Sequence, residues 1–293
     1  MEAAARRQPA ARLSAALEPR TPVPELPEVE TTMRALARRL EDRRFVLVEQ
    51  RRPDLRFTLP QDLKTRLEGR RLQGFARRAK FIELMLDDGW TLLLHLGMSG
   101  RLVFDGPPAG PHEHLTFHFD DGTILRFVDP RRFGMLDLWP TAELAAHKWL
   151  QHLGVEPLGN SFDGPALLAR LAGRQVALKV AIMDQRHIVG VGNIYASESL
   201  FRAGLSPRRL AASVGPERAR RLAASIREVL LEAIDAGGSS LRDYVQSSGE
   251  LGNFQRLFRV YDRAGLPCPV CAGPIRRCVQ AGRATFYCGK CQR

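Results

Sequence analysis

The sequence predicts an α+β fold of more than one domain. Three observations carry this. Short apolar runs broken by Asp-Asp-Gly bends fill the first half, segments of helical periodicity fill the second, and all five cysteines crowd into the last 26 residues. At 293 residues the chain is long enough to bury a sizeable core in more than one unit.

Residues 1–23 are rich in Ala, Arg and Pro, without apolar periodicity, and read as a disordered extension. An organelle transit peptide has a similar acid-poor composition, but an upstream misplacement of the translation start is the stronger reading. From Pro27 to Leu40, Val29, Met33, Leu36 and Leu40 recur at helical spacing. Pro27 suits a first turn, and Glu28 and Glu30 complement the positive end of the helix dipole. From Phe45 to Trp139 the pattern is β-like. FIELMLDDGWTLLLHL and LTFHFDDGTILRFV each place a D-D-G bend between apolar strands, which predicts hairpins and, with several such strands, a sandwich or barrel. Helices are expected at 143–152, 163–172, 193–203 and 216–236. The last is bounded by Gly215-Pro216 at its start and Gly237-Gly238 at its end. A Ser-, Gly- and Gln-rich loop follows.

Composition narrows the function. Forty-four basic against 32 acidic residues give a net charge of +12, which points to a polyanionic partner such as nucleic acid or an acidic membrane surface. No apolar run approaches the ~20 residues a membrane-spanning helix needs. Cysteines clustered at one end fit metal binding in a reducing, cytoplasmic setting better than a disulfide framework. Cys268-Pro-Val-Cys271 and Cys288-Gly-Lys-Cys291 are separated by 16 residues. That array supplies two thiolate knuckles for one closed, structural Zn2+ site. Cys278 falls outside the spacing. Arg276, Arg277, Arg283 and Lys290 lie between or within the knuckles, so the pinned hairpin would be strongly basic.

Together PELPEVE at 24–30, HLGMSG at 95–100, DPRRFG at 129–134, GVGNIYASE at 190–198 and RATFYC at 283–288 resemble the bacterial formamidopyrimidine-DNA glycosylases, in family order from Pro24 to the C-terminus. The resemblance implies a catalytic β-sandwich domain (24–141), a helical DNA-binding domain with a helix–two-turns–helix motif (142–262) and a zinc finger (263–293). It implies a bifunctional glycosylase and abasic-site lyase that acts as a monomer on oxidised purines in duplex DNA. By the same resemblance Pro24 is the Schiff-base nucleophile, Glu25 the proton donor, and Glu28 a supporting carboxylate. Lys80 and Arg283 correspond to proton donors for elimination or to phosphate contacts. Met98, Arg131 and Phe133 correspond to the residues that fill the gap left by an extruded base. Arg132, Lys179, Asn193, His114 and Arg242 are grouped with the DNA-binding residues, although a satisfied structural histidine is the plain reading of His114 and of His95. Arg242 stands where many members carry lysine. The backbone of Val245 to Ser248 aligns with the segment that caps the flipped base.

A proline nitrogen attacks the sugar C1′ only as a free secondary amine, and inside a chain it is a tertiary amide. The expected reactive chain therefore starts at Pro24, with Val23 in the place of the initiator methionine. Three alternatives are an endonuclease VIII-like enzyme for oxidised pyrimidines, a catalytically silent lesion-binding protein that keeps residues 1–23, and a plain zinc-ribbon transcription factor. PELPEVE, rather than PEGPE, argues against the first; the last leaves the N-terminal motifs unexplained.

Overall fold

The structure, a computed structural model, describes residues 24–108, 110–239 and 252–293. The extension 1–23, Arg242 and Val245 to Ser248 lie outside the described residues.

The N-terminal helix α1 (Leu26–Leu40) forms where the periodicity predicts it, with Pro27 in its first turn. β1 (Phe45–Gln50), a short α2 (Leu63–Leu67), β2 (Leu72–Arg78), β3 (Phe81–Leu86), β4 (Trp90–His95), β5 (Arg101–Phe104), β6 (Glu113–Phe119), β7 (Ile124–Val128) and β8 (Met135–Pro140) follow. They make two four-stranded antiparallel sheets, ordered β1-β6-β7-β5 and β2-β3-β4-β8. Both D-D-G segments are hairpin turns, joining β3 to β4 and β6 to β7, with Gly89 and Gly122 at positive φ. The architecture is thus a sandwich rather than a closed barrel. Its core holds Phe45, Phe117, Phe119 and Phe127 from one sheet and the leucines of β3, β4 and β8 from the other.

The second half is helical: α3 (Gly164–Leu171), α4 (Leu178–Ile182), α5 (Asn193–Arg202) and α6 (Pro216–Asp235). The helix expected at 143–152 is not formed. A 3₁₀ turn covers Thr141–Ala146 and the chain then turns away. His147 is the cause: its ring is bonded through Nε2 to Asp137 Oδ2 at 3.2 Å and wedged edge-on against Trp139 and Trp149, so the segment folds back on β8 instead of propagating. The one-turn α4 had no strong signal in the sequence, being shorter than two helical periods. Finally β9 (Ile275–Gln280) and β10 (Arg283–Cys288) form a hairpin whose turn, Ala281-Gly282, has both residues at positive φ, the geometry that matches strand twist.

Helix α1 belongs to both halves. Leu26 is fully buried in the helical core, while Val29, Leu36 and Leu40 are fully buried in the sandwich core. Its first turn therefore sits on the seam between them, and emptying either side would cost about 2–5 kcal/mol per leucine. No helix among the described residues is long and apolar enough to cross a membrane.

Candidate active site and nucleic-acid interface

Glu25 lies just before α1, 3% exposed, with its carboxylate seated on the N-terminus of α5. Oε2 accepts from the Gly192 N–H at 2.7 Å and from Tyr195 N–H at 3.4 Å, and Oε1 accepts from Ile194 N–H at 3.0 Å. Sequence dictates this seat through GVGN. A Cβ on Gly192 would lie 2.4 Å from the Glu25 carboxyl carbon, and Gly190, at φ +77°, lies where a Cβ would strike Leu26 at 2.6 Å. The helix end and its N–H groups favour the charged carboxylate. Burial opposes them and wins, and Glu28 adds repulsion, so the Glu25 pKa rises to about 7 despite the pull of Lys80.

Glu28 faces the other way and acts as a tie. Its Oε2 accepts from Glu25 N–H at 3.0 Å; its Oε1 accepts from the Tyr195 hydroxyl at 2.5 Å and from the Ser239 N–H and hydroxyl at 2.7 and 2.8 Å. The residue before α1 is thus held to α5 and to the segment that leaves α6. The supporting role expected of Glu28 has this geometric basis, and neither Tyr195 nor Ser239 could have been assigned to it from sequence.

Lys80 sits in the two-residue turn between β2 and β3, next to Ala79 at φ +55°. A non-glycine in that region is strained and needs outside support. Glu156, from the helical half, supplies it by accepting from Ala79 N–H at 2.6 Å and from Arg77 and Arg78 Nη1 at 2.9 Å each, while Arg77 Nε reaches Glu30 Oε2 at 2.8 Å. The Lys80 ammonium is pushed to a lower pKa by burial and by Arg283, against the attraction of Glu25. Arg283 opens β10 at the exposed hairpin tip. Lys80 therefore lies within electrostatic reach of both Glu25 and Arg283, and Pro24 directly precedes Glu25 in the chain.

Lys179, in the first turn of α4, points inward. It is 1% exposed, and its ammonium donates to Asn193 Oδ1 at 2.5 Å, Thr285 Oγ1 at 2.8 Å and the Ala284 carbonyl at 3.1 Å. Asn193 Nδ2 donates to the same carbonyl at 3.0 Å. These bonds make Lys179 a staple that joins α4, α5 and β10 and holds Asn193 in register with the start of β10, where Arg283 lies. Burial lowers its pKa to about 8. Glu198 does similar work further along α5, accepting from the N–H groups of Arg259, Val260 and Tyr261 at 3.0, 3.0 and 2.8 Å. Its place in GVGNIYASE was visible; its partners, over 60 residues away, were not.

On the other rim, Met98 is half-buried, Arg131 and Arg132 are exposed, and Phe133 is 38% exposed. The Arg131 guanidinium lies 5.0 Å from the Phe133 ring centre. They border a hollow of about 690 Å³, shared with Asp54, Arg56 and His95. His95 is held neutral, its pKa pushed down to about 3 by burial and the nearby Lys80, and its Nδ1 accepts from Gly97 N–H at 2.9 Å. His114 is 3% exposed and donates from Nε2 to the Asp129 carbonyl at 2.8 Å, which ties it to the base of the 129–134 loop; His112, just outside β6, is exposed.

The four expected cysteines are brought together, with all sulfurs within 4.8 Å of one another. Cys268–Cys291 and Cys271–Cys288 Sγ separations are 3.9 and 3.5 Å, bracketing the ~3.8 Å edge of a tetrahedron with ~2.3 Å metal–sulfur bonds. Cys278 lies outside the cluster, opposite Thr285 in the hairpin.

Comparison with known proteins gives the same picture along the chain. Family models match for the formamidopyrimidine-DNA glycosylase N-terminal domain over residues 23–136, for its H2TH domain over 153–245, and for the zinc finger found in FPG and IleRS over 265–293. The formamidopyrimidine-DNA glycosylases of Acidiphilium cryptum and Rhodospirillum centenum are 51% and 52% identical, each aligned over 92% of this chain and 100% of its own length. Among solved structures, MutM (Fpg) of Thermus thermophilus superposes with a TM-score of 0.83 at 42% identity, over 92% of this chain and 98% of that one. Lactococcus lactis Fpg bound to DNA with an abasic site gives 0.85 at 32% identity, over 92% and 99%.

Proposed function

The chain belongs to the formamidopyrimidine-DNA glycosylase family, and on that premise we propose that it removes oxidised purines, 8-oxoguanine and formamidopyrimidines, from duplex DNA and then cleaves the strand. The observation that carries the reading is the buried Glu25 carboxyl, next to Pro24 in the chain and seated on the N-terminus of α5 within electrostatic reach of Lys80, with its pKa raised to about 7.

As a secondary amine, Pro24 attacks C1′ of the damaged nucleotide. Glu25 gives its proton to the sugar ring oxygen as the ring opens, and the base departs. The nitrogen, now a cationic iminium, draws electrons from C2′, so a C2′ proton is lost and the 3′ phosphate leaves; repetition at C4′ releases the 5′ phosphate. Lys80 and Arg283 would supply the charge and protons that the departing phosphates need. Base extrusion costs unstacking, and Met98, Arg131 and Phe133 fill the gap and meet the partner base. The working chain begins at Pro24, consistent with relatives whose full lengths are matched by 92% of this one. It acts in the bacterial cytoplasm, as a monomer.

A Lactococcus lactis Fpg structure holds DNA with an oxidised pyrimidine, so substrate preference is the test. Duplexes with 8-oxoguanine should be nicked, and trapped by borohydride as a covalent adduct, well ahead of duplexes with thymine glycol. The reverse order would assign the endonuclease VIII-like specificity.

Cys268, Cys271, Cys288 and Cys291 would hold one structural Zn2+, which supplies a fixed fold with no open position for chemistry. The finger's own apolar core is small, consisting of Phe201, Val260, Ile275 and Phe286 around two of the cysteines. Metal analysis should find one zinc per chain. Stripping it with a strong chelator should abolish DNA binding by releasing Arg283 and Asn193's hairpin partner, while circular dichroism of the sandwich changes little.

A further inference from the structure

The wedge residues come from two different loops, 96–100 and 129–134, and the bonds that join those loops have no part in the chemistry above. Asp129 is fully buried at the end of β7. Its Oδ1 accepts from the Ser99 hydroxyl at 2.5 Å, and its Oδ2 accepts from the Gly134 N–H at 2.7 Å. Ser99 Oγ in turn accepts the Arg131 N–H at 3.1 Å. One carboxylate and one hydroxyl thus hold the loop with Met98 to both ends of the loop with Arg131 and Phe133. Contact is also close at the backbone: a Cβ on Gly97 would stand 2.3 Å from the carbonyl carbon of Phe133. Arg132, between the two wedge residues, is held at φ +55°, a conformation that a free loop would relax from. His114 completes the bracket by donating to the Asp129 carbonyl.

We propose that the Ser99–Asp129 bridge is the positioning device of the wedge, locking the two loops into one body so that Met98, Arg131 and Phe133 enter the duplex as a unit. Ser99 and Asp129 touch no substrate; they act through the three residues they hold. A pair of independent loops would have to be ordered at the moment of insertion, whereas a prelocked pair enters with that entropy already lost. This rests on the glycosylase reading above, and it makes a demand only where a base must be forced from a stack.

The experiment compares the protein beginning at Pro24 with its Ser99→Ala and Ser99→Thr variants on two substrates. One is a duplex with 8-oxoguanine opposite cytosine. The other is a single-stranded oligonucleotide with a preformed abasic site, which needs no extrusion. Ser99→Ala should lose about 10–100-fold in single-turnover excision from the duplex, the scale of a misplacement near 1 Å. Borohydride trapping on the abasic strand should stay within about twofold. Ser99→Thr, which keeps the hydroxyl, should recover the duplex rate. A 2-aminopurine placed next to the lesion should brighten more slowly on mixing with Ser99→Ala. Equal duplex rates for wild type and Ser99→Ala, or parallel losses on both substrates, would overturn the proposal. A wild-type protein inactive on both substrates would instead overturn the glycosylase reading itself.

Discussion

Glu25→Gln should reduce excision of 8-oxoguanine by about 10²–10⁴-fold, the usual contribution of a positioned general acid. Its lyase action on a preformed abasic site should fall far less, because no base has to be expelled there. Burial holds the Glu25 carboxyl at about 7, so half of it carries the needed proton at neutral pH. A terminal proline amine, with an ordinary pKa of roughly 8, must by contrast be unprotonated. The excision rate should therefore rise with pH as the amine loses its proton, peak between about 7 and 8, and fall at higher pH as Glu25 ionises. Stability has its own signature. The folded pKa lies above the unfolded value of 4.5. The folded state thus binds more protons, and stability falls as pH rises from about 4.5 through 7, then levels off. The raised pKa corresponds to about 3 kcal/mol across that window. Glu25→Gln should remove this slope from a plot of melting temperature against pH, whatever it does to absolute stability. A variant with wild-type excision, or an unchanged slope, would place the acid elsewhere.

A chain with any residue retained before Pro24 should give no borohydride-trapped adduct with lesion DNA, and nicking at the level of DNA alone. The block is electronic rather than steric. In an X–Pro bond the nitrogen lone pair is shared with the carbonyl, so it can neither attack C1′ nor carry the iminium. Everything else around Pro24 would survive: Glu25 on the end of α5, the Lys80 turn gripped by Glu156, the Lys179 staple. Such a chain should still bind abasic-site DNA, and exact removal of residues 1–23 should restore trapping. Intact mass of the active species is the direct check. An active protein that keeps its extension would rule out the proline route.

How far the sequence could be read differs by the range of the forces involved. Both D-D-G hairpins, the Gly215-Pro216 start and Gly237-Gly238 stop of α6, and the cysteine cluster are set by local rules, and they appear where the sequence puts them. The helix expected at 143–152 failed because a contact between His147 and Asp137 overrides local propensity. Among the residues expected to fill the gap, Arg131 and Phe133 face outward and Met98 is half-buried. Lys179 and His114 lie outside the quoted motifs and their burial was not legible, since side-chain direction depends on partners such as Ala284 and Asp129 that no spacing rule connects to them. For the same reason Glu156, Glu198 and Ser239 escaped notice: each bonds across 60 or more residues.

Those separations bear on how the protein is made. Glu25 emerges early from the ribosome, yet the N–H groups that seat it lie 167–170 residues downstream, and the Ser239 that anchors Glu28 lies 211 residues downstream. At a synthesis rate of roughly 5–20 residues per second, a nascent chain waits on the order of 10–40 s between exposing Glu25 and completing the groups that seat Glu25 and Glu28. The sandwich can fold in that interval, but α1 still lacks the second core that Leu26 fills. An enzyme that breaks DNA strands is thereby inert until translation is nearly finished, and truncated products of this chain are born without the means to nick DNA.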